Sequence, residues 1–269
     1  MPVFWFALSF VVNINITNAA ILFFIIHVLV YPSSNGYNSY MDRDTSSIGG
    51  IEKPLQPTNQ LYVFTVIMDV MAVVLSLIIS PLTALCIFIY IIFSRLYSYR
   101  KIRLKQFPII GYLIVILNQG GLIFYTVFTS ANSNSNQPVP LLGIICASLL
   151  IGGFYPITQI YQHKEDAADK VKTISIMLGK KGTFIFCSLV YALAFALLFI
   201  HFFSINKLFL FYILLIFFIP VFIYFTVWFL QVNKDEANAD FKHTMRMNKL
   251  ASTCTNLAFI TLLILNHID

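Results

Sequence analysis

Apolar stretches of about twenty residues recur from one end of this 269-residue chain to the other, and each is long enough to cross a bilayer as an α-helix. Within hydrocarbon every backbone N–H and C=O must be satisfied inside the protein, so only helices and closed barrels can span. The long runs do not alternate polar with apolar residues, which argues against a barrel. With 59% hydrophobic and 10% charged residues, no stretch is left over for a separate soluble domain. The expectation is one all-α polytopic membrane domain covering residues 1–269.

Nine spans are counted when the short first one is included. Met1–Val12 is apolar but too short to cross alone, and it reads as the second half of a first helix. After the polar break Asn13–Asn18, a second helix starts at Ala19 and runs, bent at Pro32, into a polar stretch that begins at Asn35 and ends at Asp44. Leu61–Ser80 is the third span and Pro81–Tyr97 the fourth. Ile109–Thr129 is the fifth, interrupted by Asn118-Gln119-Gly120-Gly121. Leu141–Ile160 is the sixth and runs on into Gln162–Asp169. Thr183–Phe203, Leu208–Gln231 and Leu250–Asn266 complete the set. Thr45–Gln60 and Ser130–Pro140 read as loops. No Lys or Arg precedes the first apolar run, so a cleaved signal peptide is not expected. Cys86, Cys146, Cys187 and Cys254 all lie in apolar segments without a CxxC pair, as unreactive buried thiols do.

Charge placement gives the orientation. If the spans alternate, the connections after spans two, four, six and eight share one side and hold sixteen of the seventeen Lys and Arg, with only Lys207 opposite. The positive-inside rule makes that side cytoplasmic in a cell membrane. The same connections hold nine of the eleven acids. Carboxylates have little influence on orientation, so the acids need another explanation.

Two carboxamide/carboxylate pairs supply one. Asn38 and Asp42 are four residues apart, as are Gln162 and Asp166, so on a helix each pair shares a face. Oxygen ligands of this kind suit Mg²⁺, which is usually held by one or two carboxylates together with substrate phosphate oxygens. Asp169 is a further ligand candidate. The run Tyr97–Lys105 is the natural counterpart for a diphosphate. It places Tyr97 and Lys101 four apart, followed by Arg103 and Lys105, and Arg grips phosphate as a planar fork, Lys as a point charge. Lys172 and Thr173 are similar candidates. Topology or anionic lipid would also account for these bases, and capping would account for either acidic pair alone. Asp69 lies inside the third span, where a carboxylate is costly and a functional candidate. It contacts an acceptor or bonds a neighbouring helix. Gln119 and His27 read as helix–helix hydrogen bonds.

With these residues in view, the chain resembles the UbiA superfamily of membrane prenyltransferases over nearly its whole length. Asn38 and the Asp42-Arg43-Asp44 run match the family's first acidic motif, with Ser46 at its final acidic position and Ser39 where Asp is frequent. Asp166, Lys172, Thr173 and Leu178-Gly179 match the second, with Gln162 in place of its first Asp. Tyr97 and Lys101 match the Tyr-x-x-x-Lys motif. The resemblance implies Mg²⁺ held between the two motifs and an isoprenyl diphosphate donor whose allylic cation alkylates a lipophilic, typically aromatic, acceptor within the bilayer. Asp42 and Asp166 would carry the chemistry. Asn38, Asp42, Gln162, Asp166 and Asp169 would hold the metal, and Asn38, Tyr97, Lys101, Arg103, Lys105, Gln162 and Lys172 the substrate. With Ser46 and Gln162 neutral, less charge faces the metal than is usual for the family. Asp44 would compensate only where the helix ends, since on a straight helix it points about 160° from Asp42. A terpene cyclase on the same fold, or a catalytically lapsed lipid-binding or transport protein, remains open. No nucleic-acid partner is expected.

Overall fold

The computed structural model describes residues 2–43, 47, 51–134 and 136–268. Among them, eight helices are long and apolar enough to cross a membrane. After the short α1 (Pro2–Leu8) they are α2 (Ile16–Asp42), α3 (Asn59–Ile79), α4 (Pro81–Ser98), α5 (Pro108–Ala131) and α6 (Leu141–Gln159). The short helix α7 (His163–Ala168) precedes α8 (Ile174–Ser204), α9 (Leu208–Lys234) and α10 (Phe241–Ile268). The chain is an all-helical, multi-pass integral membrane protein. Eight long helices plus the short α1 reproduce the sequence count of nine.

Helices adjacent in sequence mostly pack side by side, and α1 wedges between α5 and α10. There Phe6 packs its ring against Phe124 and Phe259, at centroid distances of 5.5 and 4.7 Å. Gly120 lets α5 and α6 touch: a Cβ at that position would come within 2.5 Å of the Ser148 backbone. The outer surface is apolar, as along α3, where Phe64, Ile67, Val70, Val74 and Ile78 are all at least half exposed. Water would not leave such a stripe uncovered, whereas lipid does.

Several boundaries differ from the sequence reading for local reasons. Helix α2 is continuous from Ile16, its N-terminus capped by Asn15, whose Oδ1 accepts from the Asn18 N–H at 3.0 Å. The disturbance attributed to Pro32 lies just before it, as a widened π-helical turn over Ile25–Val30, and the Tyr31 N–H reaches back five residues to the Ile26 carbonyl. Pro32 lacks an N–H, so the ladder loosens on its N-terminal side. The Asn118-Gln119-Gly120-Gly121 interruption is another widened turn, Ile116–Leu122. The sixth span does not run on into the acidic stretch. It tightens over Tyr155–Gln159 at Pro156 and breaks, and α7 follows as a separate helix. Helix α10 begins at Phe241, so Lys242, Arg246 and Lys249 belong to the helix and not to a loop. Helix α8 starts at Ile174 and kinks at Gly179 (φ 70, ψ 170), a conformation that glycine reaches without cost.

Candidate active site

The end of α2 builds one wall. Asn38 and Asp42 sit one turn apart on its last two turns, and Arg43 closes the helix in a left-handed conformation. Asp42 is buried, its side chain only 5% exposed, where an ionised carboxylate needs partners. It has two. Lys105 Nζ bonds Oδ2, and Arg103 donates to Oδ1 at 3.2 Å. The Asn38 carbonyl oxygen accepts from Ser98 Oγ at 2.6 Å and from Lys105 at 3.4 Å.

Those cations reach Asp42 because the chain turns sharply after α4. The Ile102 and Arg103 N–H groups fold back onto the Tyr99 carbonyl, at 3.0 and 2.6 Å, and Arg103 itself is left-handed (φ 46). The turn directs Arg103 and Lys105 inward; both residues are 8% exposed. Lys101 falls on the outside of the turn and is exposed. The helix has ended at Ser98, so the spacing of four between Tyr97 and Lys101 no longer implies a shared face. Lys101 is not brought to the cavity that Arg103 and Lys105 line, and those two supply the inward charge.

The opposite wall is the segment from Gln159 through Thr173. Gln162 lies just before α7, and its carbonyl accepts from the Asp166 N–H at 2.9 Å, so the pair stays on one side although the helix is short. Arg103 ties this wall to the first, bonding the Asp169 carboxylate as well as Asp42. Its hydrogen bond holds the Asp169 carboxyl below the usual carboxylate range, against the opposing effect of burial. Arg100 lies 4.0 Å from Asp169 and donates to the Asp42 carbonyl at 3.0 Å. The α7 wall is anchored from behind: His163 Nε2 pairs with Ser175 Oγ at 2.7 Å, Ser175 with Thr183 Oγ1 at 3.0 Å, and Thr183 donates to the Gly179 carbonyl at 2.7 Å. The kink at Gly179 folds Ser175 and Thr183 together to make that chain possible.

A cavity of about 350 Å³ lies between the walls. It brings together Asn38, Asp42, Tyr97, Arg103, Lys105, Gln162, Asp166 and Asp169, all singled out in the sequence. Thr173 lines it too. Lys101 and Lys172 do not line it, and Lys172 is exposed. Asp44 and Ser46 lie outside the described residues. The donor set is wholly oxygen on the acidic side, with Glu165 added to the carboxylates already named. Among the described residues no three His, Cys, Asp or Glu side chains converge as a metal cage. The oxygen donors are of the kind that suit Mg²⁺, which uses few carboxylates and completes its shell with water and phosphate oxygens. Two buried polar atoms in the lining, Arg103 Nε and Gln159 Oε1, have no partner within the protein.

The UbiA prenyltransferase family model matches residues 1–250. The chain belongs to the UbiA prenyltransferase family. Its fold is similar to solved UbiA structures. One, from a study of digeranylgeranylglyceryl phosphate synthase, is 22% identical with a TM-score of 0.63, covering 98% of this chain and 91% of the other. A UbiA homologue from Archaeoglobus fulgidus bound to GPP and Mg²⁺ is 15% identical with a TM-score of 0.69, covering 99% and 95%. An apo UbiA homologue from Aeropyrum pernix K1 is 14% identical with a TM-score of 0.62, covering 99% and 96%. No curated protein matches the chain.

Sequence reasoning missed part of the lining of this UbiA cavity. Tyr155 pairs its hydroxyl with that of Tyr97 and accepts from Gln159 Nε2 at 2.7 Å. Asn35, Thr158, Tyr161 and Glu165 also line it. Gln159, polar at the end of an apolar span, was a signal that could have been read. Asp69 is explained by its neighbours. It takes Arg95, from α4, through two guanidinium nitrogens, while Ser33 Oγ donates to its other oxygen at 2.6 Å. Arg95 also donates to Thr65 and Ser33 and lies 3.9 Å from the Tyr37 ring centroid. Arg95 thus lies within a span and bonds helix to helix.

Proposed function

We propose that this protein transfers an isoprenyl group from a prenyl diphosphate to a lipophilic acceptor, with Mg²⁺, at the cavity between the end of α2 and the Gln159–Thr173 segment. The carrying observation is that two oxygen-rich stretches more than a hundred residues apart meet over one cavity that also holds two buried cations. The relative from Archaeoglobus fulgidus, with GPP and Mg²⁺ bound, supports the same chemistry for the fold.

In this reading Arg103 and Lys105 bind the diphosphate. They are already desolvated and neutralised by Asp42 and Asp169. An arriving diphosphate exchanges for the carboxylates on those cations, Arg103 as a fork and Lys105 as a point charge. The freed carboxylates then face the diphosphate. Asn38, Asp42, Gln162, Asp166 and Asp169 would hold Mg²⁺, which when bound neutralises charge on the leaving group. The bond between C1 and the diphosphate oxygen breaks with its electron pair going to the diphosphate. The rings of Tyr97, Tyr155 and Tyr161, which line the same cavity, face the allylic cation. An electron pair of the acceptor forms the new bond to C1, and the proton the acceptor loses passes to the departing diphosphate. A neighbouring apolar cavity of about 690 Å³ shares Asn248 with the polar one and is walled by α1, α6, α8 and α10, which gives a prenyl chain room. The site faces the cytoplasm by the positive-inside rule.

The test is a series of prenyl diphosphates of increasing length incubated with membranes, with and without candidate acceptors, followed by lipid mass analysis and diphosphate release. Asp42→Ala and Asp166→Ala should each abolish Mg²⁺-dependent release. Undiminished turnover in both variants would refute the assignment, and release without any acceptor would point to a cyclase.

A further inference from the structure

A second, smaller cavity of about 150 Å³ opens off the first, and Asn35, Asn38, Tyr97 and Tyr155 line both. It extends deeper along the helices. Ser34 is one turn below Asn38 on α2, and Ser94 and Tyr90 are one and two turns below Ser98 on α4. Asn118 and Gln119 stand in the widened turn of α5, about 15 Å from that helix's start at 1.5 Å per residue, which is near mid-membrane.

Two carboxamides at that depth are expensive unless they have partners. Asn118 has one: it is buried and donates to the Tyr90 carbonyl at 3.3 Å. Gln119 is different. It remains exposed, on the wall of the cavity that it shares with Tyr90. A carboxamide whose only purpose was helix packing would be enclosed. The lining is rich in neutral donors and acceptors and contains no Lys, Arg, His, Asp or Glu. The nearby Arg95 and Asp69 are spent on each other.

We propose that this cavity receives the head of the acceptor, and that the head is a neutral hydroxyl- or carbonyl-bearing group, such as a phenol or an alcohol, and not an ionised carboxylate or phosphate. The proposal rests on the prenyl-transfer reading. An ionised group here would be desolvated without a counter-ion, which disfavours it. A neutral hydroxyl finds partners in Gln119 and in the Asn118 side-chain oxygen, and can insert into the Ser34–Ser94 hydroxyl pair. The volume is about that of a site that accommodates one benzene-sized ring. The shared wall sets such a head beside the diphosphate, where the reacting carbon lies.

The probes are 4-hydroxybenzoate and its methyl ester, which share a ring and a hydroxyl and differ in charge. Binding to the purified protein in nanodiscs is followed by ligand-observed NMR in the presence of pyrophosphate and Mg²⁺. The wild type should bind the ester at least tenfold more tightly than the acid. Gln119→Leu should weaken the ester about tenfold, and Gln119→Lys, which supplies a counter-ion, should shift the preference toward the acid. Equal binding of the two probes, saturable binding of neither, or a preference unchanged in both variants would overturn the proposal. So would tighter geranyl diphosphate binding in Gln119→Leu with the ester unaffected, because the cavity would then hold hydrocarbon. Pyrophosphate binding by the wild type, weakened in Lys105→Met, tests the donor reading separately.

Discussion

The Asp69–Arg95 pair joins α2, α3 and α4 directly below Asn38 and Asp42, and its removal in two ways yields a quantitative test. Asp69→Leu leaves the Arg95 guanidinium with the hydroxyls of Thr65 and Ser33, both at 3.2 Å, and the face of the Tyr37 ring, but no counter-ion. Breaking a buried pair from one side costs about 3–5 kcal/mol. The two side chains keep 18% and 15% exposure and the hydroxyls compensate in part, so the lower end, about 3 kcal/mol, applies. For a chain of this size that lowers the unfolding midpoint by about 6–12 °C. The double variant Asp69→Leu/Arg95→Leu removes both charges and should return to within about 1 kcal/mol of the wild type. Cys86, Cys146 and Cys187 are buried and Cys254 is partly exposed, so in a Cys254→Ser background a thiol-reactive fluorophore reports unfolding in detergent. A double variant as unstable as the worse single one, with coupling below about 0.5 kcal/mol, would refute the claim that the two charges stabilise each other.

Two further outcomes follow from the walls of the cavity. Arg103→Gln and Lys105→Met should each weaken pyrophosphate binding at least tenfold by isothermal titration, whereas Lys101→Ala should leave it within twofold; the reverse order would restore the role that spacing suggested for Lys101. Burial, then the charge of Lys180, holds the His163 pKa below its ordinary 6.5, so the folded chain favours the neutral ring. That contribution is complete above about pH 6.5 and is lost as pH falls through the lowered value. Thermal stability should therefore decline on acidification from 6.5, and His163→Gln should flatten the decline; an unchanged profile would mean that the α7 anchor does not depend on His163.

How far the sequence could be read depended on whether a regular helix continued through the residues concerned. Asn38 and Asp42 share a face because α2 continues to Asp42, and the period of 3.6 residues then fixes their direction. The Asn118–Gly121 interruption was visible because carboxamides and paired glycines stand out inside an apolar run and weaken a helix there. Lys101 stays outside the cavity because that regularity ends before it. Past Ser98 the left-handed Arg103 reverses the chain, and nothing in the run Tyr97–Lys105 announces which of its four cations, Arg100, Lys101, Arg103 and Lys105, turn inward. The same holds for Asp69: the carboxylate was conspicuous, but its partner was counted with loop charges because Arg95 stands near a helix end. Tyr155 and Gln159 were hidden for another reason. They line the cavity only because the chain tightens at Pro156 and turns α6 away from α7, a change of direction that depends on the packing of α8 behind it. The polar cavity beneath the site combines both cases. Its chemistry was legible in Asn118 and Gln119, but its continuity with the larger polar cavity depends on Tyr97 and Tyr155 meeting across two helices, a contact of tertiary origin. If the acceptor's head occupies that cavity, the specificity of this enzyme is decided by residues that carry no charge and match no motif.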